Sequence, residues 1–331
     1  MTVSELTERE LVERIRRQLP TDPSWVALGI GDDAAVVEPE RNRLEVLTVD
    51  AVVDGIHFER RFTPPDAIGH RALAVNLSDL AAMGAAPRLA LLSFALPPDF
   101  PSADFDGIIA GIAALARVER LTVVGGNLTC TPGPLTIDIT AIGTVKRRSV
   151  MARTGARPGD GVYVTGSIGA GAAGLRVLRS DDTLAMSPCT ERYLRPASRT
   201  RIGLQLGRNR AASACIDLSD GLADGVARIA ESSGVGITID AAALPIDPAT
   251  REVFENAGLD PIDAAVSGGD DYELLFTVRP RMRGRLKAAM QHGGGVAVTR
   301  IGVCTGEPGL GLRLSPDAEP VPLPRGYTHF R

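Results

Sequence analysis

The chain has 331 residues, with 36 lysines and arginines against 40 aspartates and glutamates and a formal net charge of −4. Hydrophobic residues make up 44% and charged residues 23%, which is typical of a folded globular protein and excludes a disordered or fibrous chain. The near-balanced charge argues against a nucleic-acid-binding role, because such proteins usually carry a basic field.

Cysteine usage and the first residues indicate the compartment. Cys130, Cys189, Cys215 and Cys304 show no zinc-like spacing, and buried or incidental thiols in a reducing environment are the simplest interpretation. The N-terminal segment has no apolar core of the signal-peptide type, and no apolar run approaches the ~20 residues of a membrane span. We expect a cytoplasmic protein that does not contact the membrane.

The first half of the chain alternates between helix and strand signals. Thr7 and Glu10 form a capping box ahead of Leu11, Ile15 and Leu19, which recur at helical spacing until Pro20. The remaining predicted elements are strand Leu44–Asp50, helix Asp66–Ala86, strand Leu89–Leu96, helix Ser102–Glu119, and strands Leu121–Val124 and Leu135–Val145.

The second half begins after a segment rich in Gly, Pro and Arg at residues 151–161, so we predict domains at 1–150 and 151–331. A strand at Val162–Thr165 and a helix at Ser167–Arg179 are followed by a polar stretch and then a strand-to-helix step at 214–230. Later strands are predicted at Gly236–Asp240, Tyr272–Val278 and Val296–Val303. The alternation predicts an α/β or mixed α+β fold.

Acidic residues, many beside glycines, recur at Asp32–Asp33, Asp50, Asp54, Asp79, Asp217, Asp220 and Asp270–Asp271, and several of them lie where apolar strands end and helices begin. Each one alone is an ordinary turn residue. Together they indicate a ligand site, because open α/β sheets bind ligands at that edge. Carboxylates without His or Cys partners suit Mg²⁺ with substrate phosphates, so the pattern favours a Mg-nucleotide site.

Common nucleotide and hydrolase signatures are missing. The chain has no GxxxxGK[ST], GxSxG or HExxH motif. The run Gly166–Gly171 follows a predicted strand, but its glycine spacing does not fit GxGxxG. Close packing between a strand and a helix explains this run better than a dinucleotide site does.

Seven blocks occur in an order that resembles one family. They are GIGDDAAVV (29–37), TVDAVVDGIHF (48–58), NLSDLAAMGAAP (76–87), VVGGN (123–127), DLSDGL (217–222), SGGDDYELLFT (267–277) and the terminal GYTHF (326–330). The chain is similar to the thiamine-monophosphate kinases, within the aminoimidazole ribonucleotide synthetase-like superfamily. This resemblance implies a two-domain α/β (α+β) fold in which the N-terminal domain binds ATP and Mg²⁺ and pairs its sheets with a second copy in a homodimer. The C-terminal domain is then the aminoimidazole ribonucleotide synthetase-like domain.

The resemblance also implies roles for individual residues. Metal contacts carry over to Asp32, Thr48, Asp50, Asp79, Asn127, Asp217 and Asp220. Contacts to ATP carry over to Gly126, Asn127, Arg153 and Ser219, with Asp220 and Arg153 as catalytic candidates. Substrate contacts carry over to His57, Asp270 and Tyr327, because a carboxylate and an aromatic face suit a cationic thiazolium.

The implied reaction is the ATP-dependent phosphorylation of thiamine monophosphate to thiamine diphosphate, by direct transfer with several Mg²⁺ ions and no general base. An aminoimidazole ribonucleotide synthetase-like activity remains an alternative. A selenophosphate synthetase is disfavoured because no cysteine precedes Cys130, and a hydrogenase-maturation relative because the chain does not end in a cysteine-bearing tail. A non-catalytic nucleotide-binding protein is the remaining alternative, because Asn127 stands where the family usually has aspartate.

Overall fold

The computed structural model describes residues 1–180, 188–324 and 326, and it divides into two compact units. The first unit comprises Met1–Leu80 and Ala86–Lys146, and the second comprises Ala81–Ala85 and Arg147–Arg331. The second unit therefore includes the end of a helix that begins in the first.

The first unit is a four-stranded sheet with helices, plus a small two-stranded sheet. The main sheet has the order β3-β6-β4-β5, in which only β4 and β5 are parallel, and β1 pairs with β2 in the small sheet. The elements are α1 Glu8–Gln18, β1 Val26–Leu28, β2 Val36–Val37, β3 Leu44–Val53, α2 Pro65–Ala82, β4 Ala86–Leu96, α3 Ser102–Glu119, β5 Thr122–Cys130 and β6 Thr136–Val145.

Strand β3 has one packed face and one exposed face. Thr48 and Asp50 are half-buried, whereas the intervening Leu47 and Val49 are 64% and 57% exposed. Because side chains alternate along a strand, Thr48 and Asp50 point to the same side, and a hydrogen bond from Thr48 to Asp79 identifies it as the side of α2. On β3 the other side of the sheet therefore exposes the apolar side chains of Leu47 and Val49.

The β1–β2 hairpin is attached to the sheet by Arg88 of β4. Its guanidinium lies 4.5 Å from the centre of the Trp25 ring and donates to the carbonyl oxygen of Glu38. These two residues flank the hairpin, and Trp25 O also accepts from Glu38 N at 2.8 Å. The contacts fix the base of the loop that carries Asp32.

The second unit contains a seven-stranded mixed sheet, in the order β13-β12-β9-β11-β7-β10-β8. Its pairs are antiparallel except for β12 with β9. The elements are β7 Gly161–Thr165, α4 Ala170–Arg179, α5 Pro188–Leu194, α6 Thr200–Asn209, β8 Ala214–Asp217, α7 Leu222–Ser233, β9 Gly236–Asp240, α8 Pro248–Asn256, α9 Pro261–Ser267, β10 Leu274–Val278, α10 Arg283–His292, β11 Val298–Thr305, β12 Leu310–Arg313 and β13 Val321–Pro322.

Both faces of this sheet are covered. Along β7, Val162 and Val164 belong to one hydrophobic core and Tyr163 to another, so the strand is buried on both sides. Tyr163 stacks on Phe276 of β10 with ring centres 5.7 Å apart. The second core also contains Ile202 and Leu206 of α6 and, from the end of α2, Ala81 and Ala82.

The mixed α/β class is confirmed, and the predicted bounds of helix Ser102–Glu119 coincide with α3. The helix predicted to reach Ala86 ends at Ala82 instead, because Gly84 turns the chain with φ +68° and β4 begins at Ala86. Within the polar stretch the structure has α5 and α6, which the sequence did not predict because polar and charged residues outnumber the apolar ones there. Across the described residues, no helix combines the length and hydropathy needed to cross a bilayer.

Candidate active site

Oxygen-bearing side chains meet between β3 and α2 in the first unit. Thr48 Oγ1 donates to Asp79 Oδ2, and Asp50 lies two residues along the same face of β3. Asn76, one turn before Asp79, is fully buried, and its Oδ1 accepts no hydrogen bond from the described residues. The structure thus brings three of the proposed metal ligands to one side of the sheet.

Asn127 lies on the other side of this sheet. In the strand register Asn127 pairs with Ser93, Ser93 with Asp138, and Asp138 with Ala51, the neighbour of Asp50. Paired residues face the same way and successive residues alternate, so Asn127 and Asp50 point to opposite faces. Within this unit the structure does not bring Asn127 together with Asp50.

Asp32 lies in an exposed loop, whereas Gly126 lies within a strand. Asp32 is exposed in the loop between β1 and β2, where Gly31 has φ +115°. Gly126 is on β5, and a Cβ atom there would lie 1.9 Å from the carbonyl oxygen of Leu92. The close approach of β4 therefore requires glycine at position 126, whatever it contributes to a ligand.

His57 sits in the turn after β3 with a fixed ring orientation. Its ring Nδ1 accepts a hydrogen bond from Val53 N at 3.1 Å, and the backbone N–H of His57 donates to Val53 O at 2.9 Å. Because Nδ1 is an acceptor, the neutral ring carries its proton on Nε2. The half-buried imidazole can therefore serve as an oriented hydrogen-bond donor.

In the second unit, two of the sequence blocks form one paired structure. The N–H of Asp270 donates to Ser219 O at 2.8 Å, and the N–H of Tyr272 donates to Leu218 O at 2.9 Å. Asp270 and Tyr272 have backbone φ values of +69° and +51°, which residues other than glycine rarely adopt. The proposed substrate residue Asp270 thus lies beside the proposed nucleotide residue Ser219.

Two carboxylates, Asp217 and Asp220, border this structure. Asp217 ends β8, pairs with Leu274 of β10 and is 7% exposed. Asp220 is partly exposed, and one of its oxygens lies 3.8 Å from Arg228 Nη2. Both proposed metal ligands of this unit therefore lie where β8 ends and α7 begins.

The structure does not bring Arg153 to this position. The carbonyl of exposed Arg153 accepts a hydrogen bond from Ser233 Oγ at 3.3 Å, and Ser233 is the last residue of α7. Asp220 precedes the first turn of the same helix. Twelve residues at about 1.5 Å each separate the two ends by about 18 Å.

The terminal block begins beside Asp220. A Cβ atom on Gly326 would lie 3.1 Å from Asp224 N and 3.4 Å from Asp220 O, so this glycine touches the start of α7. The proposed substrate residue Tyr327 lies outside the described residues.

Asp271 has a role that the sequence analysis missed. Its carboxylate accepts from Gly169 N at 2.8 Å and Gly171 N at 3.2 Å, at the start of α4. Burial raises its pKa to about 7, although both backbone hydrogen bonds favour the ionised form. The glycine run after β7 thus holds a carboxylate of the protein itself, which explains why it lacks dinucleotide spacing. The signal in the sequence was a second aspartate directly before a buried strand.

The donor atoms fit Mg²⁺, although only in small groups. Among the residues that the structure describes, no three His, Cys, Asp or Glu side chains are close enough to hold a metal ion. Magnesium usually takes one or two carboxylates and completes its shell with waters and substrate phosphates. The Thr48–Asp79 pair with Asp50, and the Asp217–Asp220 pair, meet that requirement with oxygen donors alone.

Two family models match the chain. The N-terminal domain of the AIR synthase related proteins matches residues 31–145, and the C-terminal domain of the same group matches residues 157–315. Solved structures extend the match to the whole fold. Escherichia coli HypE has a TM-score of 0.78 at 22% identity, which shows the shared fold.

Proteins with a higher sequence identity to this chain share one name. The thiamine-monophosphate kinase of Escherichia coli K12 is 41% identical over 98% of each chain, and that of Bacillus subtilis is 34% identical over 93% of this chain and 95% of the relative. The Stenotrophomonas maltophilia thiamine-monophosphate kinase structure has a TM-score of 0.82 at 36% identity and covers 93% of this chain and 96% of its own. AaThiL in complex with AMPPCP and TMP has a TM-score of 0.76 at 31% identity over 100% and 99%. The chain therefore belongs to the thiamine-monophosphate kinases within the AIR synthase related family.

Proposed function

We propose that this chain transfers the γ-phosphoryl group of ATP to thiamine monophosphate, giving thiamine diphosphate and ADP. The match that carries the proposal is the 41% identity with the Escherichia coli kinase over nearly the full length of both chains. The AaThiL complex supports it, because that relative binds an ATP analogue together with TMP and aligns along the whole of this chain.

The reaction needs little acid–base chemistry from the protein. The acceptor is a phosphate oxygen, which is ionised at neutral pH because the second pKa of a phosphomonoester is ~6. The main obstacle is the repulsion between two polyanions. Bound Mg²⁺ would offset that charge and stabilise the transferred group.

We assign the metal contacts to oxygen donors in both units. Thr48, Asp50 and Asp79 support this assignment by lying on one side of the sheet, and Asp217 and Asp220 by lying together between the end of β8 and the start of α7. Asp32 and Asn127 complete the proposed set: Asp32 lies in its exposed loop, and Asn127 on the opposite sheet face from Asp50. Because Asp32 and Asn127 are not grouped with the other ligands in the structure, mutation is the direct test of whether they bind metal.

We assign the contacts to the nucleotide and substrate from the family resemblance, and for Arg153, which lies at the opposite end of α7 from Ser219, the resemblance is the only support. The exposed Arg153 presents a planar fork suited to phosphate, with Ser219 and the backbone at Gly126 as further ATP contacts. His57 and Asp270 support a substrate role by their fixed settings, and Tyr327 is assigned by its sequence block alone.

We also propose a cytoplasmic homodimer. The exposed apolar residues Leu47, Val49 and Leu91 lie on one face of the first sheet, and exposed apolar side chains grouped on one face are typical of an interface. Val49→Asp should dissociate the dimer in sedimentation equilibrium, while the matched change Val118→Asp, at a 75% exposed position on α3, should leave it intact. A wild-type chain that sediments as a monomer would refute the assignment.

The test of the reaction is a coupled ADP-release assay on the purified chain. We expect turnover with thiamine monophosphate and none with thiamine or with an aminoimidazole ribonucleotide precursor. Turnover only with the precursor would assign the chain to the sister activity, and no turnover with any of them would favour a non-catalytic protein. Direct in-line transfer predicts inversion at a chiral γ-phosphorus, and retention would contradict it.

A further inference from the structure

Glu273 is a fully buried carboxylate with no role in the proposed reaction. Both oxygens accept hydrogen bonds: Oε1 from Arg192 and Arg199, and Oε2 from Arg199 and from Thr165 Oγ1. Its side chain is 0% exposed, that of Arg199 is 9% exposed and that of Arg192 is 25% exposed. One carboxylate therefore joins two guanidinium groups more than seventy residues away in the chain, Arg192 in α5 and Arg199 at the start of α6.

This network lies at the base of the loop 268–272. The backbone carbonyl of Glu273 accepts from Leu218 N at 2.8 Å, next to the DLSDGL block. Thr165, which donates to the Glu273 carboxylate, also accepts from Leu274 N at 2.8 Å. Glu273 thus ties the ends of β7 and β8 to the start of β10.

The loop itself needs such an attachment. Left-handed residues such as Asp270 and Tyr272 persist only where the surroundings enforce their conformation. Asp271 attaches the middle of the loop to α4, and Glu273 attaches its end. Asp270 directly precedes these two points, and its side chain accepts a hydrogen bond at 3.2 Å from Oη of Tyr272, which lies between them.

We propose that the Glu273–Arg199–Arg192 network positions Asp270 for the substrate. A buried ion pair contributes little net stability compared with apolar residues of the same volume, so stability alone does not account for two arginines on one buried carboxylate. Its directional bonds instead define one loop geometry. This inference rests on the proposed function, in which Asp270 contacts thiamine monophosphate, and it makes Glu273 a positioning residue.

The test is Glu273→Gln, which keeps the shape of the side chain and removes its charge. We expect the KM for thiamine monophosphate to rise at least about tenfold while the KM for ATP stays within about twofold. Without substrate, amide hydrogen exchange at Asp270 and Tyr272 should become at least about tenfold faster. If Glu273→Gln fails to fold, Arg192→Gln is the second variant, because it removes only one partly exposed donor to Glu273. It should raise the KM for thiamine monophosphate and the loop exchange rate by smaller factors.

The matched control is Arg313→Gln, which breaks the partly exposed Arg313–Asp240 ion pair of 3.2 Å in the same unit. It should leave both KM values and the loop exchange unchanged. Unchanged exchange in folded Glu273→Gln, or faster exchange with unaltered kinetics, would overturn the proposal. A wild-type chain that does not phosphorylate thiamine monophosphate would refute the proposed function, whereas the exchange data would still show whether Glu273 holds the loop.

Discussion

Gly221 and Gly234 bracket α7 and offer a matched pair of substitutions. Both have positive φ, but a Cβ atom on Gly221 would lie 2.3 Å from the carbonyl oxygen of Gly268, whereas one on Gly234 would meet nothing within 4 Å. Gly221→Ala therefore forces the DLSDGL block away from the 268–272 loop. Gly234→Ala changes only the backbone preference at the end of the same helix.

The structure sets the size of the difference. Gly221 has φ 94° and ψ 172°, a region populated almost only by glycine, while Gly234 has φ 66° and ψ 40° in the left-handed helical region. Backbone strain of ~1–3 kcal/mol plus ~1–3 kcal/mol of overpacking predicts a loss of ~2–6 kcal/mol for Gly221→Ala, with about 4 kcal/mol at the centre of that range. Gly234→Ala should cost ~1 kcal/mol, because the stiffer unfolded chain offsets part of its strain.

Calorimetry of the two variants tests the argument. For a unit of this size about 1 kcal/mol corresponds to ~2–4 °C, so a loss of about 4 kcal/mol in Gly221→Ala should lower the Tm by ~8–16 °C, and Gly234→Ala should lower it by a few degrees. Because Asp220 moves with Gly221, kcat should also fall at least about tenfold in Gly221→Ala only. Equal losses of Tm in the two variants would refute the close approach of the two blocks.

Four further predictions concern protons and metal. In the folded state the pKa of Asp271 is raised from 3.8 to about 7, so the free energy of unfolding should fall as the pH rises from ~4 to ~7 and level off above it. Urea titrations of Asp271→Asn should lack this slope, and parallel pH profiles for the two proteins would contradict the prediction. Activity should vanish in EDTA and return with Mg²⁺ or Mn²⁺, and turnover that persists in EDTA would exclude the metal assignment. Thr48→Val removes the donor to Asp79 and should raise the half-maximal Mg²⁺ concentration about tenfold; an unshifted titration would place Thr48 outside the site. Asn127→Asp adds a negative charge and should lower that concentration about tenfold, and coincident titrations would show that Asn127 is not a ligand.

Local signals in the sequence predicted local structure well. The capping box at Thr7 and Glu10 forms as expected and begins α1, with Leu11 and Ile15 on its buried side. Strand β9 has the predicted bounds Gly236–Asp240. These elements depend on residues within a few positions of each other, so the sequence contains the whole signal.

Long-range pairing was beyond such signals. Strand β10 lies between β7 and β8, although more than fifty residues separate it from either along the chain. Nothing near Leu274 encodes those neighbours, because the order of a sheet results from the packing of the whole unit. The DLSDGL and SGGDDYEL blocks were therefore recognisable in the sequence, but the pairing of their backbones was not.

The candidate site was predictable in its residue types but not in its grouping. Asp50 and Asp79 followed from the resemblance, and the structure places them on one side of a sheet. The buried Asp271 and Glu273 were missed because burial of a charge depends on partners such as α4 and Arg199, which are distant in sequence. Asn127 illustrates the converse, since the strand register alone shows which face it occupies.

The inclusion of Ala81–Ala85 in the second unit has a consequence for synthesis on the ribosome. Ala81 and Ala82 share a core with Ile202 and Leu206, and the carbonyl of Ala81 abuts Gly203. At ~5–20 residues per second, the roughly 120 intervening residues take about 6–24 s to be made. The first unit can assemble during that interval, but the end of α2 must wait for α6. Expressing residues 147–331 alone would remove Ala81 and Ala82 from the core that contains Ile202 and Leu206. A single cut in the chain therefore cannot separate the two units into complete, independent domains.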